Sequence, residues 1–131
     1  MATTGAMGDY LENKVLNDNL VTGTPYVALY TSDPTDTGTA GTEVTGGGYS
    51  RKAATFTVTG SSATNSADVN FGQASAAWGN VSYFAIWSAA SAGNMLFHGA
   101  LENGSGVPTT FAVNNGDTFK FPVSSLTISL D

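Results

Sequence analysis

The chain contains one histidine, His98, and no cysteine, so few of its side chains are suited to chemistry. A histidine that acts as a general base needs a nearby nucleophile and a carboxylate that orients its ring. A histidine-rich metal site needs further ligands of the same kind, which this chain lacks. His98 lies in the apolar run NMLFHGAL, where alternation places it on one face with Leu96 and Ala100. This pattern predicts a strand residue at the margin of the core.

Carboxylates are the next candidates, in two arrangements. Asp33, Asp36 and Glu43 resemble a cation-binding loop, but they lack the alternating oxygen spacing and the distal bidentate carboxylate of calcium loops. The sequence DPTDTG is also typical of turns in which aspartate accepts backbone hydrogen bonds, and this interpretation is favoured. Glu43, Glu102 and Asp117 could supply a pair for glycoside hydrolysis, although nothing in the sequence selects two of them. We predict no metal site, no cofactor and no catalytic residue.

Glycines and aromatic rings offer two further kinds of site. The glycines at positions 46–48 precede a strand and are followed by no Lys-Ser/Thr pair, which is the wrong order for a phosphate-binding loop. Glycine at these positions is better explained by a left-handed backbone conformation or by the close approach of another chain to the backbone. Trp78, Tyr83 and Trp87 could stack on a sugar ring, although aromatic residues in a β-sandwich more often fill the core.

Composition excludes several classes of function. Four basic residues face ten acidic ones, giving a net charge of −6, whereas nucleic-acid binding depends on Lys and Arg that neutralise phosphates. No run of about 20 apolar residues could span a membrane, and residues 1–10 lack the basic and apolar regions of a secretory signal. Only 11% of the residues are charged. We therefore predict no nucleic acid or membrane as partner, and a bland surface that is easily buried against another protein.

A helical period near the N-terminus predicts one amphipathic helix over residues 6–20. Its apolar and flanking positions form adjacent rows: Met7, Leu11 and Val15; Tyr10 and Lys14; Leu16 and Leu20. Gly23 and Pro25 provide a stop signal. Two roles are open for this helix: it closes one end of the β core, or it is a docking arm on a neighbouring subunit.

From residue 25 onward the period changes to two, which is typical of strands. Strands are predicted at residues 25–31, 49–58, 67–71, 81–88, 94–101, 118–122 and 125–130, with a long loop at residues 32–48. The 81–88 run places Tyr83 and Trp87 on one face and Phe84 and Ile86 on the other, which indicates a central strand covered on both sides. The prediction is an all-β fold, a jelly-roll-like β-sandwich with one N-terminal α-helix. It forms a single domain, residues 1–131, whose sandwich spans residues 25–131.

Three segments, at residues 29–56, 78–101 and 113–131, together resemble a family of small structural proteins of tailed bacteriophages, described as tail-fibre, head-fibre or decoration-type proteins. The specific features are DPTD followed by GGGYSR, the aromatic strand followed by NMLFHGAL, and the ending GDTFKFPVSSLTISL. The resemblance implies a non-enzymatic virion component with a β-sandwich fold. Such a component is used as a symmetric oligomer and is assembled in the host cytoplasm.

The expected partners are copies of the chain itself, in a homo-oligomer for which a trimer is one arrangement, and other virion proteins of the capsid or tail. The alternative function is a receptor- or carbohydrate-binding module, in which Tyr49, Trp78, Tyr83 or Trp87 contacts a host-surface glycan. A third class, a glycosidase or peptidase, has no support from the single histidine and the unpaired carboxylates.

Overall fold

The computed structural model describes residues 5–130. Within that range the chain is built mainly of short antiparallel strands, with one helical segment at the front, which confirms the all-β class. The strands are β1 (Tyr26–Tyr30), β2 (Lys52–Ala53), β3 (Phe56–Thr59), β4 (Ser62–Asn65), β5 (Val69–Gln73), β6 (Gly79–Val81), β7 (Tyr83–Trp87), β8 (Met95–Ala100), β9 (Phe111–Val113), β10 (Thr118–Phe121) and β11 (Thr127–Ser129). The predicted domain ends, residues 1–4 and 131, lie outside the described residues. No helix in the described range is both long and apolar enough to cross a bilayer.

The N-terminal helix is present, but its bounds differ from the predicted residues 6–20. An α-helix, α1, runs from Asp9 to Leu16, and a π-helical segment, Asn17–Thr22, continues it. Gly8 caps the start in an extended conformation, so helical geometry begins only after it. The side chains of Asn17 and Asn19 donate to carbonyls four residues earlier. Such side-chain bonds compete with the regular backbone ladder, and Gly23 then ends the segment in extended backbone.

The largest sheet has the strand order β2-β1-β7-β8, and all its pairs are antiparallel. We call it the main sheet. Its central strand β7 has β1 on one side and β8 on the other, which confirms the predicted central strand and its partner. Phe84 and Ile86 lie in the main core cluster, whereas Ala85 belongs to a second cluster against which Tyr83 and Trp87 pack. The second cluster lies beneath the 32–48 loop, where a Cβ on Gly38 would contact Met95 and Trp87. Both faces of the main sheet are therefore covered.

Three smaller sheets supply most of the other side of the core. Their strand orders are β10-β5, β11-β4-β3 and β6-β9. Apolar side chains from all three, including Val69, Ala63 and Val113, share one buried cluster with the inner face of the main sheet. Leu126 and Ile128 are buried, and Leu130 packs against the same cluster, as their alternation predicts. The single domain and the jelly-roll connectivity stay predictions.

The bounds of two predicted strands, at residues 49–58 and 81–88, are wrong because each run passes from one sheet to another. The 49–58 run splits into β2, which pairs with β1, and β3, which pairs with β4. The break falls at buried Ala54, whose N–H donates to the carbonyl of Pro25 while Thr55 already bonds to Ser66. The 81–88 run splits likewise, so Val81 belongs to β6 and lies in the main core. Side chains alternate between two faces in both halves of each run, so the two-residue period of the sequence cannot show that the chain passes from one sheet to another.

Asn65 is fully buried and joins β4 to the turn before β11. Its Nδ2 donates to the carbonyls of Ala67 (2.9 Å) and Pro122 (2.8 Å), and its Oδ1 accepts from the N–H of Leu126 at 2.9 Å. We expect Asn65→Ala to lower the free energy of unfolding by about 2–4 kcal/mol, because buried polar groups lose their partners. Urea denaturation measures this change.

The matched control is Asn70→Ala. Asn70 is exposed, and its side chain accepts one hydrogen bond, from the N–H of Gly72. This variant is expected to cost about 1 kcal/mol or less. Equal losses in the two variants would contradict the role assigned to Asn65.

Candidate interaction surfaces

His98 lies in β8 and ties the 32–48 loop to the main sheet. Its Nε2 is 2.8 Å from Asp36 Oδ1, its Nδ1 is 3.9 Å from Asp33 Oδ1, and its side chain is 28% exposed. The prediction that His98 lies at the margin of the core is therefore confirmed. The prediction that it shares one face with both Leu96 and Ala100 holds only for Ala100. A β-bulge shifts the register, so Ala100 shares the face of His98 while Leu96 packs against the main core. His98 acts here as a tether for the loop.

Asp33 forms a turn, as the favoured interpretation predicts. Its Oδ1 accepts a hydrogen bond from the N–H of Thr35 at 2.9 Å, and Thr35 has a positive φ of 58°. Within residues 5–130, no group of three or more His, Asp or Glu side chains is arranged to hold a metal ion. The carboxylate of Asp36 instead meets His98.

The three carboxylates considered for glycoside hydrolysis take part in separate local structures. Glu43 is bound by Tyr49 and Arg51. Asp117 closes a turn by accepting the N–H of Asn114 at 2.8 Å. Glu102 is exposed at the end of β8. None of these contacts identifies a catalytic pair.

The most extensive polar network of the loop is centred on Arg51. Its guanidinium holds Glu43 through two parallel hydrogen bonds, Nε to Oε2 and Nη2 to Oε1, both 3.0 Å. Its Nη1 donates to the carbonyls of Ala89 and Ala92 at 3.1 and 3.0 Å. The guanidinium carbon lies 4.2 Å from the centre of the Trp87 ring, which is close enough for a cation–π interaction. The Arg51 side chain is only 9% exposed.

The electrostatics of this network follow from burial beside Glu43. Burial raises the pKa of Tyr49 far above its usual value, and the hydrogen bond from its hydroxyl to Glu43 (2.7 Å) adds to the rise. Burial, followed by the charge of Glu43, also raises the pKa of Tyr30. For Arg51, burial lowers the pKa, but the hydrogen bonds and charge of Glu43 outweigh it, and the pKa is raised. The network is thus a structural clamp with an ionised pair and neutral tyrosines.

The glycines at positions 46–48 all have positive φ, which confirms the prediction of left-handed backbone. The close approach at Gly47 is to the chain's own residues. A Cβ at Gly47 would lie 2.8 Å from both the carbonyl oxygen of Ala76 and the Trp78 ring. The carbonyl of Gly47 accepts hydrogen bonds from Trp78 Nε1 and Ser75 N, both 2.9 Å. This segment is therefore locked onto the core.

The aromatic rings considered for sugar stacking are engaged inside the protein. Trp78 is 5% exposed and packs edge-on to Tyr49. Trp87 lies beneath Arg51, and Tyr83 packs on the second face of the main sheet. The favoured interpretation of Trp78 as a core residue is confirmed, so its ring is not free to stack on a glycan, whereas Tyr83 and Trp87 are half-buried.

One side of the N-terminal helix presents apolar side chains to solvent. Tyr10 is 83% exposed, Leu11 46% and Met7 41%. The opposite side packs against the protein, where Leu16 and Glu12 are buried. The predicted row of Leu16 and Leu20 is confirmed as one buried side, whereas the row of Met7, Leu11 and Val15 is only partly right, because Met7 precedes the extended N-cap Gly8. We call Tyr10 and Leu11 the outer helix row.

A groove of about 480 Å³ lies between the ends of β8, β10 and β11. Its walls carry large apolar side chains: Phe84, Leu101, Phe111, Phe119, Phe121 and Leu126. Glu102 and Lys120 lie on its lining as charged groups. The sequence predicts these residues only as parts of strands, since the groove forms where three distant segments meet. We call it the aromatic groove.

A protein-family model described as podophage GP4 fiber I protein gp80 matches residues 6–129. The matched range includes α1, every strand named above, the outer helix row and the aromatic groove. The comparison with curated proteins found no match.

Gly47 and Gly46 offer a matched pair for testing the lock on Trp78. Both have positive φ, 61° and 72°, but a Cβ at Gly46 meets nothing within 4 Å. Gly46→Ala is expected to cost about 1–2 kcal/mol, from left-handed backbone alone. Gly47→Ala should cost about 1–3 kcal/mol more, because backbone and ring must move. Urea denaturation of the two variants gives the difference, and equal costs would rule out the steric lock.

The raised pKa of Tyr49 predicts a loss of stability in alkali. Above a pH of about 10, tyrosine in the unfolded chain loses its proton, whereas Tyr49 in the folded protein keeps it. The unfolded state then binds fewer protons, so the free energy of unfolding falls as the pH rises, by at most about 1.4 kcal/mol per pH unit for this group.

Tyr49→Phe removes this ionisable group. The variant is expected to be less stable at neutral pH, because hydrogen bonds to Glu43 and from Leu29 N are lost. Its stability should fall less steeply above pH ~10. Denaturant titrations at several pH values test both effects, with Tyr10→Phe on the exposed helix row as the control for removal of a tyrosine. Parallel slopes for wild type and Tyr49→Phe would contradict the assignment.

Proposed function

Since the chain belongs to the family of podophage GP4 fiber I protein gp80, we propose that it is a non-enzymatic structural subunit of a phage fibre that assembles with copies of itself. It is a component of the virion. Its work is mechanical: it forms contacts that repeat along or around the fibre. A fibre position is favoured over capsid decoration by the description of the matched family.

The observation that carries this proposal is the outward direction of the outer helix row. A helix on a monomer normally turns its apolar stripe to the core and its charges to water. Leu16 and Leu20 follow this rule, but Leu11 and Tyr10 add a second apolar side that faces solvent. Glu12, by contrast, is only 5% exposed. Its Oε2 is buried without a hydrogen-bond partner among the described residues. An exposed apolar row of this kind is stabilised when a partner covers it.

The distribution of charge supports assembly as well. Of the four basic residues, three form ion pairs within residues 5–130: Lys14 with Asp18, Arg51 with Glu43, and Lys120 with Asp68. Only 11% of the residues are charged, so few charged side chains need to be desolvated when the surface is covered. The net charge of −6 keeps the subunit from binding the packaged genome, because like charges repel.

The glycan-binding alternative has weaker support. Trp78 is buried, and Trp87 is covered by Arg51. Among the described aromatic residues, the most exposed is Tyr10 on α1. A single tyrosine on a helix is better suited to a protein contact than to a platform for sugar rings.

Sizing of the purified chain by light scattering over a range of concentrations tests the proposal. We expect an oligomer for the wild type and at least about tenfold weaker association for Leu11→Asp, since a charge would be buried in the interface. Ala40→Asp, in the exposed part of the 32–48 loop, is the control and should associate like the wild type. A wild-type chain that stays monomeric at the highest concentration would overturn the proposal.

A further inference from the structure

Strand β8 forms one edge of the main sheet. It ends the strand order β2-β1-β7-β8, so β7 pairs with one side of it, and no strand within residues 5–130 pairs with the other side. Its six residues make it the longest strand of the described chain, and all six are half-buried. A row of backbone groups therefore lies along an uncovered side of β8.

The backbone hydrogen bonds show which groups of β8 point outward. The N–H of Leu101 donates to the carbonyl of Ser82 at 2.9 Å, so Leu101 turns its backbone toward the side of β7. In an antiparallel ladder, residues that bond to the neighbouring strand alternate with residues that do not. The register with β7 is unbroken in this half of β8. Gly99 therefore bonds to β7, whereas the N–H and C=O groups of His98 and Ala100 point away from it.

The segments near β8 leave these outward groups uncovered. The carbonyl of Leu101 accepts from the N–H of Thr109 at 2.8 Å, and this carbonyl points to the side of β7, so the chain that follows β8 returns on that side. The 32–48 loop meets β8 at the side chains of His98 and Met95, which stand on a face of the sheet. Within residues 5–130, no hydrogen bond is made to the outward backbone groups of His98 and Ala100.

The two edges of the main sheet differ in their protection. Proteins commonly block an edge with lysine, with proline or by making the edge strand very short. The opposite edge, β2, has only two residues, and one of them is Lys52. By contrast, β8 contains no lysine, arginine, acidic residue or proline, and its bulge lies near Met95 at one end. An edge of this kind is suited to pairing with another extended strand.

We propose that β8 of one copy pairs antiparallel with β8 of a second copy, about a two-fold axis at Gly99. The inference rests on the proposed function and names a contact between its subunits. His98 of each copy then lies opposite Ala100 of the other, and the two residues exchange backbone hydrogen bonds. The four strands of each main sheet become part of one continuous sheet across both copies.

The residues of β8 fit this register. A two-fold contact requires a surface that matches itself after rotation, and the outward groups of His98 and Ala100 are equally far from Gly99. Gly99 faces its own copy in a pair that is not hydrogen-bonded, where strands approach most closely, and it has no side chain to obstruct them. On the core face, half-buried Phe97 comes opposite Leu101 of the second copy, which gives an apolar cross-strand pair.

The contact leaves the outer helix row free. Helix α1 packs against β3 and β4, which belong to a different sheet from β8. Each subunit therefore has two separate surfaces for association, the β8 edge and the outer helix row. A two-fold pair at β8 joins only two copies, whereas a second contact at the helix row lets association continue along a fibre.

Amide hydrogen exchange of the full chain, read residue by residue by mass spectrometry, tests the pairing. It is measured below and above the concentration at which light scattering shows association. We expect the amides of His98 and Ala100 to exchange at least about tenfold more slowly in the oligomer, because they become hydrogen-bonded there. Gly99, which bonds to β7, should be slow in both samples. Ala53 should be fast in both, since its neighbour Ala54 bonds to Pro25 and Ala53 points outward from β2.

A pair of proline variants tests the same edge by substitution. Ala100→Pro removes one outward N–H without removing a hydrogen bond to β7, and it should weaken association at least about tenfold. Ala53→Pro makes the same change on β2, at the opposite edge of the main sheet, and should associate like the wild type. Cooperative unfolding of each variant shows that it is folded.

The outcomes separate this inference from the proposed function. An oligomer in which the amides of His98 and Ala100 exchange as fast as in the dilute chain would overturn the β8 contact but not the fibre role. Equal association of folded Ala100→Pro and the wild type would do the same. A wild-type chain that stays monomeric at every concentration would overturn both.

Discussion

Arg51 lies on the Trp87 ring, and its guanidinium holds Glu43 in a two-pronged ion pair. Taking two charges out of water costs free energy, which is recovered only when the remaining hydrogen-bonding groups find partners. Here the carbonyls of Ala89 and Ala92 and the hydroxyl of Tyr49 supply them. The clamp joins the 32–48 loop, the strand that follows it and the turn after β7. It covers a sheet that is apolar on both faces.

The need to supply hydrogen-bond partners to the Arg51–Glu43 ion pair also explains why the aromatic residues around it have structural roles. Tyr49 donates to Glu43 and accepts the N–H of Leu29, so it fixes the clamp to β1. It also contacts the edge of Trp78, whose N–H binds the carbonyl of Gly47. These rings are held on several sides and cannot turn outward to a ligand without opening the core. The apolar surfaces that remain available for contacts with other molecules are the outer helix row and the aromatic groove.

Alternation in the sequence predicts β7 and the buried face of β11 because each keeps one environment along its length, whereas in β8 the bulge beside Leu96 shifts the alternation. It fails at residues 49–58, where Ala54 passes from the main sheet to the sheet of β3 and β4 without a change of period. The helical period likewise shows that Leu16 and Leu20 share a face with each other. It cannot show that this face is the inner one, nor that Glu12 is buried there. The groove was beyond prediction, because Phe84, Phe111 and Phe119 meet only through tertiary packing.

Association of identical subunits with a net charge of −6 must overcome their mutual repulsion. That repulsion is screened beyond about 8–10 Å at ordinary ionic strength, so it matters mainly where surfaces touch. The outer helix row has uncharged side chains, and the aromatic groove carries one acid and one base, so close contact at either surface brings no excess of like charge. Asp33 and Asp36, which lie in the 32–48 loop, face His98 of β8. In the proposed fibre, modest contacts repeated from subunit to subunit would sum to stable association through multivalency.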